Sequence, residues 1–68
     1  MKEVDARGLS CPEPLMMTDE AIKEGAGEFT VLVTEPFQRT NVEKFARSKG
    51  KTFTSGEKDG YYTVTVHA

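Results

Sequence analysis

This chain has little with which to brace itself covalently. Its 68 residues hold a single cysteine, Cys11, which excludes an internal disulfide and leaves no second thiolate for a metal cluster. The only histidine, His67, sits at the far end and reads as an exposed strand residue, so neither a cysteine–histidine protease arrangement nor a metal centre is supported. Tryptophan is missing, and the aromatic set is limited to Phe29, Phe37, Phe45, Phe53, Tyr61 and Tyr62. No apolar run is long enough to span a bilayer, and no basic-then-apolar segment opens the chain. Together with the free thiol, these absences point to the cytoplasm and away from a membrane.

What is present is globular: 37% hydrophobic and 29% charged residues, too apolar for a disordered chain. A chain of this length buries only about 60% of the surface exposed by its unfolded form, so a two-layer domain held by packing alone is the ceiling. The net charge of −2 conceals an asymmetry. Positions 1–37 carry Lys2, Arg7 and Lys23 against eight acids, whereas 38–58 carry Arg39, Lys44, Arg47, Lys49, Lys51 and Lys58 against Glu43 and Glu57. Two solvated faces account for this, as does a docking surface for an acidic partner.

Residue spacing predicts six elements. Lys2 to Ala6 reads as a short strand with Val4 and Ala6 inward, interrupted at Arg7-Gly8-Leu9. From Pro12 to Lys23, Leu15, Thr18 and Ile22 recur at helical offsets, widened by Met17 and Ala21, and Gly25 and Gly27 end the run. Glu28 to Thr34 alternates Phe29, Val31 and Val33 with Thr30, Leu32 and Thr34; Leu32 on the second face suggests a central strand, stopped by Glu35-Pro36. A second helix is expected to open with Thr40 or Asn41 as N-cap, to run through Val42, Phe45, Ala46 and Lys49, and to close at Gly50. Lys51 to Glu57 and Gly60 to His67 read as strands joined by a tight Lys58-Asp59-Gly60 turn, with Tyr62, Val64 and Val66 inward on the last. The expectation is one domain over 1–68: an α/β two-layer sandwich of order β-α-β-α-β-β, with a mixed four-stranded sheet and both helices on one face.

The chemistry concentrates at Ser10-Cys11-Pro12-Glu13-Pro14. Pro12 favours helix-compatible geometry for itself and an extended one for Cys11, which makes Cys11 the expected N-cap. A thiolate there lies at the positive end of the helix dipole, near the free N–H of Glu13, a placement that lowers a thiol's pKa. The Glu13 carboxylate acts in the opposite direction, and Arg7 offsets it if it reaches back. A lone cysteine is otherwise a small buried hydrophobe. An activated thiol with no base, acid or cofactor beside it can still exchange, taking sulfur from one molecule and releasing it to another.

The run Asp5-Ala6-Arg7-Gly8-Leu9-Ser10-Cys11-Pro12-Glu13-Pro14 resembles the DxRGxxCPxP signature of the TusA/SirA sulfur-carrier family. The likeness extends over the whole chain, including the glycine after the first helix and Glu35-Pro36. It implies that Cys11 accepts sulfur as a persulfide from a cysteine desulfurase or similar donor and passes it to an acceptor protein. Asp5, Arg7, Gly8, Pro12, Glu13 and Pro14 would then support the site, with no cofactor, as a relay rather than a stand-alone enzyme. In several members the second strand ends in paired aspartates, with another aspartate before the second helix, where this chain has Thr34, Glu35 and Asn41. The run from Thr40 to Gly50 is similar to the YedF branch, some of whose members are associated with selenium metabolism and carry an extra domain; a stand-alone sulfur or selenium carrier is the reading that follows. A different class stays open on the residues alone: a regulatory module binding a protein or RNA through Arg39, Lys44 and Arg47, with Cys11 incidental. Of the two partners, direct nucleic-acid binding is the less favoured.

Overall fold

The computed structural model describes residues 2–10 and 12–67. In chain order the elements are β1 (Lys2–Asp5), α1 (Glu13–Lys23), β2 (Phe29–Val33), α2 (Pro36–Ser48), β3 (Phe53–Lys58) and β4 (Tyr61–Val66). This is the expected order, and the architecture is the expected two-layer α/β arrangement. The sheet order is β1-β2-β4-β3, with β1 parallel to β2 and the other two pairings antiparallel.

The β-branched residues of the strands pack well on a pleated surface, and their alternation decides what each face meets. Val4, Val31 and Val64 share one register row, while Phe29 and Val66 share the next, and all five are buried. Both helices cover this face. Thr18 and Ala21 from α1 and Val42 and Ala46 from α2 are buried against it, with Leu15, Met17, Ile22, Phe53 and Tyr62 around the margin. The Thr18 hydroxyl is satisfied within its own helix, donating to the Pro14 carbonyl at 2.8 Å. The opposite face carries Glu3, Thr30, Thr65 and Thr54 in one row and Asp5, Leu32, Thr63 and Gly56 in the next. Leu32 is 7% exposed, in keeping with the central position of β2.

Both helices stop as the glycines dictate. At the end of α1, Gly25 N–H bonds to the Ile22 carbonyl and Ala26 N–H to that of Ala21; at the end of α2, Gly50 and Lys51 repeat the pattern on Arg47 and Ala46. These paired bonds form a Schellman motif, which satisfies the last carbonyls only if the residue after the cap is left-handed. The β3–β4 turn is Asp59-Gly60, with positive φ at Gly60 alone, so it is not the type I′ turn that Asp-Gly most often signals.

Strand ends shift by one or two residues, most at β3, which starts at Phe53 and not at Lys51, and both helix starts differ from expectation. Helix α2 begins at Pro36, four residues before Thr40, and its N-cap is Glu35. Pro36 ends the strand and also supplies the first helical residue, where a missing N–H costs nothing. Glu35 and Gln38 form a capping box, in which Gln38 accepts the Glu35 N–H at 3.3 Å. At α1 the cap is Pro12, one residue later than expected; the conformation expected of Cys11 falls outside the described residues.

Phe29 is 1% exposed and the largest of the fully buried side chains in the packed layer. Phe29→Ala should therefore cost about 3–5 kcal/mol in a urea titration, enough to unfold much of so small a domain. Glu57→Ala, on the exposed part of β3, should stay within about 0.5 kcal/mol of the parent.

Candidate functional site

The segment between β1 and α1 is placed by what it bonds to on either side. Ala6 N–H donates to the Leu32 carbonyl at 2.9 Å, extending the parallel ladder one residue beyond β1. The chain then turns at Arg7-Gly8, with φ of 78° at Gly8, a left-handed value that glycine adopts without strain. Leu9 N–H returns to the Ala6 carbonyl at 3.3 Å.

Two side chains hold this turn, Thr34 from just after β2 and Gln38 from the first turn of α2. The Thr34 hydroxyl accepts Gly8 N–H at 2.8 Å, and the Gln38 amide nitrogen donates to the Leu9 carbonyl. On the far side of position 11, Glu13 N–H donates to the Ser10 carbonyl at 2.9 Å and Met16 N–H to the Pro12 carbonyl at 3.0 Å. The Glu13 N–H expected to be free for a thiolate is therefore already used. Pro14 is buried, while Pro12 and Glu13 are exposed.

Two hollows adjoin the described residues of this segment. One is lined by Gly8, Leu9, Ser10, Thr34, Glu35, Phe37 and Gln38, the other by Pro12, Pro14, Leu15, Gln38 and Asn41. Gln38 is common to both. Phe37 and Met16, at 55% and 60% exposure, leave apolar surface at the starts of the two helices. Because β1 and β2 are parallel and each leads directly into a helix, both helix N-termini lie at one end of the molecule. Their positive dipole ends favour anionic groups there.

Asp5 and Arg7 pair with each other. The Arg7 guanidinium donates to both Asp5 carboxylate oxygens at 2.9 Å, and its backbone N–H reaches Oδ1 at 3.2 Å. Its carbon lies 4.8 Å from the centre of the Tyr61 ring, on the sheet face away from the helices. Arg7 is thus neutralised by Asp5 and stacked on β4 instead of reaching back to offset Glu13. The basic residues of α2 divide as well. Arg39 and Arg47 lie over Tyr62 and Phe53, at 4.8 and 5.3 Å, while Lys44 is exposed elsewhere on the helix. Arg39 Nε stands 3.9 Å from the Glu43 carboxylate, and none of the three joins the bonds that hold residues 8–13. Among the described residues no group of acids and histidine is arranged to hold a metal ion.

Thr34 and Gln38 were not among the site residues expected from the sequence. Glu35-Pro36 followed by Gln38 is a capping-box spacing, which would have revealed where α2 starts.

A proline-framed cysteine between a parallel strand and a helix, on a two-layer sandwich, defines a class of small thiol-bearing α/β proteins. The sequence model of the family described as Sulfurtransferase TusA matches residues 2–68, and the chain belongs to this family. A sulfur carrier protein TusA from Pseudomonas putida is 34% identical over 58 residues, spanning 82% of this chain and 72% of the relative. One from Pseudomonas entomophila is 43% identical over 44 residues, 62% of this chain and 55% of the relative. The crystal structure of a SirA-like protein from Desulfitobacterium hafniense superposes with a TM-score of 0.94 at 36% identity, covering all of this chain and 97% of the other. No helix among the described residues is long and apolar enough to cross a membrane.

The bond from Arg7 holds the Asp5 carboxyl at about 2, below its ordinary 3.8. A carboxylate with a depressed folded pKa adds stability above its unfolded pKa and loses it as the pH falls through the folded value. The contribution of this pair should accordingly be complete above pH 3.8 and disappear as the pH drops through about 2. In Arg7→Ala the Asp5 carboxyl carbon, followed by NMR, should titrate above about 2 and below 3.8, since the backbone N–H at position 7 still donates to Oδ1; a midpoint still at about 2 would contradict the assignment to the guanidinium.

Proposed function

We propose that this protein is a sulfur carrier that takes up sulfane sulfur as a persulfide on Cys11 and relays it to a partner protein. The observation that carries this reading is the match of residues 2–68 to the family, with relatives named sulfur carrier protein TusA. The geometry supports it. Residues on both sides of Cys11 are hydrogen-bonded into place, at the end where two helix N-termini favour an anion and where Phe37 and Met16 offer apolar surface.

In the first step the Cys11 thiolate attacks the terminal sulfur of a donor persulfide. A bond forms from Cys11 Sγ to that sulfur, the donor's own S–S bond breaks, and the donor cysteine leaves as a thiolate. In the second step an acceptor thiolate attacks the sulfur now carried on Cys11, whose thiolate is the leaving group. Charge is conserved at each exchange, and no electrons are needed from outside. Asp5, Arg7, Gly8, Pro12, Glu13 and Pro14 act as support, shaping the chain around Cys11 rather than reacting. The donor is a cysteine desulfurase or another persulfide-bearing protein, and the setting is the cytoplasm, where a free thiol persists.

Incubation with a cysteine desulfurase and cysteine, followed by intact-mass measurement, should give a reducible adduct of one sulfur atom that is missing from Cys11→Ser. No adduct on the parent protein with any of several persulfide donors would overturn the proposal.

A further inference from the structure

Gln38 is 4% exposed, a buried amide in a core otherwise made almost wholly of apolar side chains. An amide buried at that depth is costly unless its polar atoms are paired. Here the two ends of the amide are paired differently. The oxygen accepts Glu35 N–H and caps α2, while the nitrogen donates across 29 positions of sequence to the Leu9 carbonyl. Gln38 also lines both hollows, the one beside Gly8, Leu9 and Ser10 and the one beside Pro12 and Pro14. Leu9 is two positions from Cys11 in the sequence; its N–H makes a 3.3 Å turn bond to Ala6 and its side chain packs at the margin of the core.

We infer that Gln38 is a positioning residue for sulfur transfer: through the Leu9 carbonyl it fixes the direction in which the chain presents Cys11 to a partner. Thr34 assists by accepting Gly8 N–H. The inference rests on the carrier reading above and adds the residue that orients the transfer. Two proteins that exchange sulfur must bring their sulfur atoms together in line, whereas a small diffusing electrophile meets a thiol in any orientation. Loss of the tether should therefore slow protein-to-protein transfer far more than alkylation.

Gln38→Glu separates the two roles of the amide. The carboxylate keeps an oxygen for Glu35 N–H, so the cap of α2 survives, but it places an acceptor against the Leu9 carbonyl and removes the tether. In Gln38→Glu, sulfur transfer from a cysteine desulfurase should fall by about ten-fold or more, while the iodoacetamide rate at Cys11 changes by less than about two-fold. Backbone order parameters of Leu9 and Ser10, from ¹⁵N relaxation, should drop from about 0.85 to below about 0.6. Transfer within about two-fold of the parent protein, an equal loss of transfer and alkylation, or unchanged order parameters would each overturn the inference. If Gln38→Glu melts too low to assay, Thr34→Val, which deletes only the Gly8 tether, is tested for the same divergence and judged by the same outcomes. If the parent protein takes up no sulfur, the carrier reading fails, and the order parameters alone decide whether Gln38 sets the conformation of this segment.

Discussion

Parallel pairing of β1 with β2 is the constraint from which the rest follows. Two parallel neighbours cannot be joined by a tight turn, so the chain must cross over the sheet, and α1 is that crossover. The crossover begins at the end of β1, where the Arg7-Gly8 turn delivers the chain to the start of α1. Since β2 also runs into a helix, the same pairing brings Thr34, Glu35 and Gln38 beside Gly8 and Leu9. The cysteine-bearing segment is thus braced by residues more than twenty positions away, and none of that bracing is visible as a local motif.

The two sheet faces divide the remaining tasks. The valine face is dry and supplies cohesion, with Phe29, Val31, Val33, Val64 and Val66 all at 0–1% exposure. The other face is polar and holds itself together sideways: Thr30 and Thr65 hydroxyls meet at 3.1 Å, His67 lies between Glu28 and Thr54, and Arg7 spans from Asp5 to Tyr61. Asp5 and Arg7 belong to this second system. The Arg7 charge is matched by Asp5 at the start of the turn that leads out of β1.

Much of this was legible in the sequence because it is governed by short-range rules. Gly25 and Gly50 mark helix ends because no other residue closes a helix so cheaply, and the valine alternation of β2 and β4 fixes which face is dry. The start of α2 was misread for a physical reason. Pro36 and Gln38 act as a helix-starting pair, but the first apolar residue on the buried stripe is Val42, so apolar periodicity alone places the helix late. Residue types alone leave open whether Arg7 reaches back to Glu13, because its preference for Asp5 depends on the turn between them. The role of Gln38 was hidden for a deeper reason: its partner, the Leu9 carbonyl, is a backbone atom, and a bond to backbone leaves no trace in residue type.

The sheet order also has a consequence for how such a protein meets others. Its two open margins are β1, with Lys2, Glu3 and Asp5 exposed, and β3, exposed from Thr54 to Lys58. Short, charged and polar margins discourage strand-to-strand addition, which is how small sheets ordinarily aggregate. With both margins guarded in this way, the sheet of so small a domain resists pairing edge to edge with the sheet of another copy.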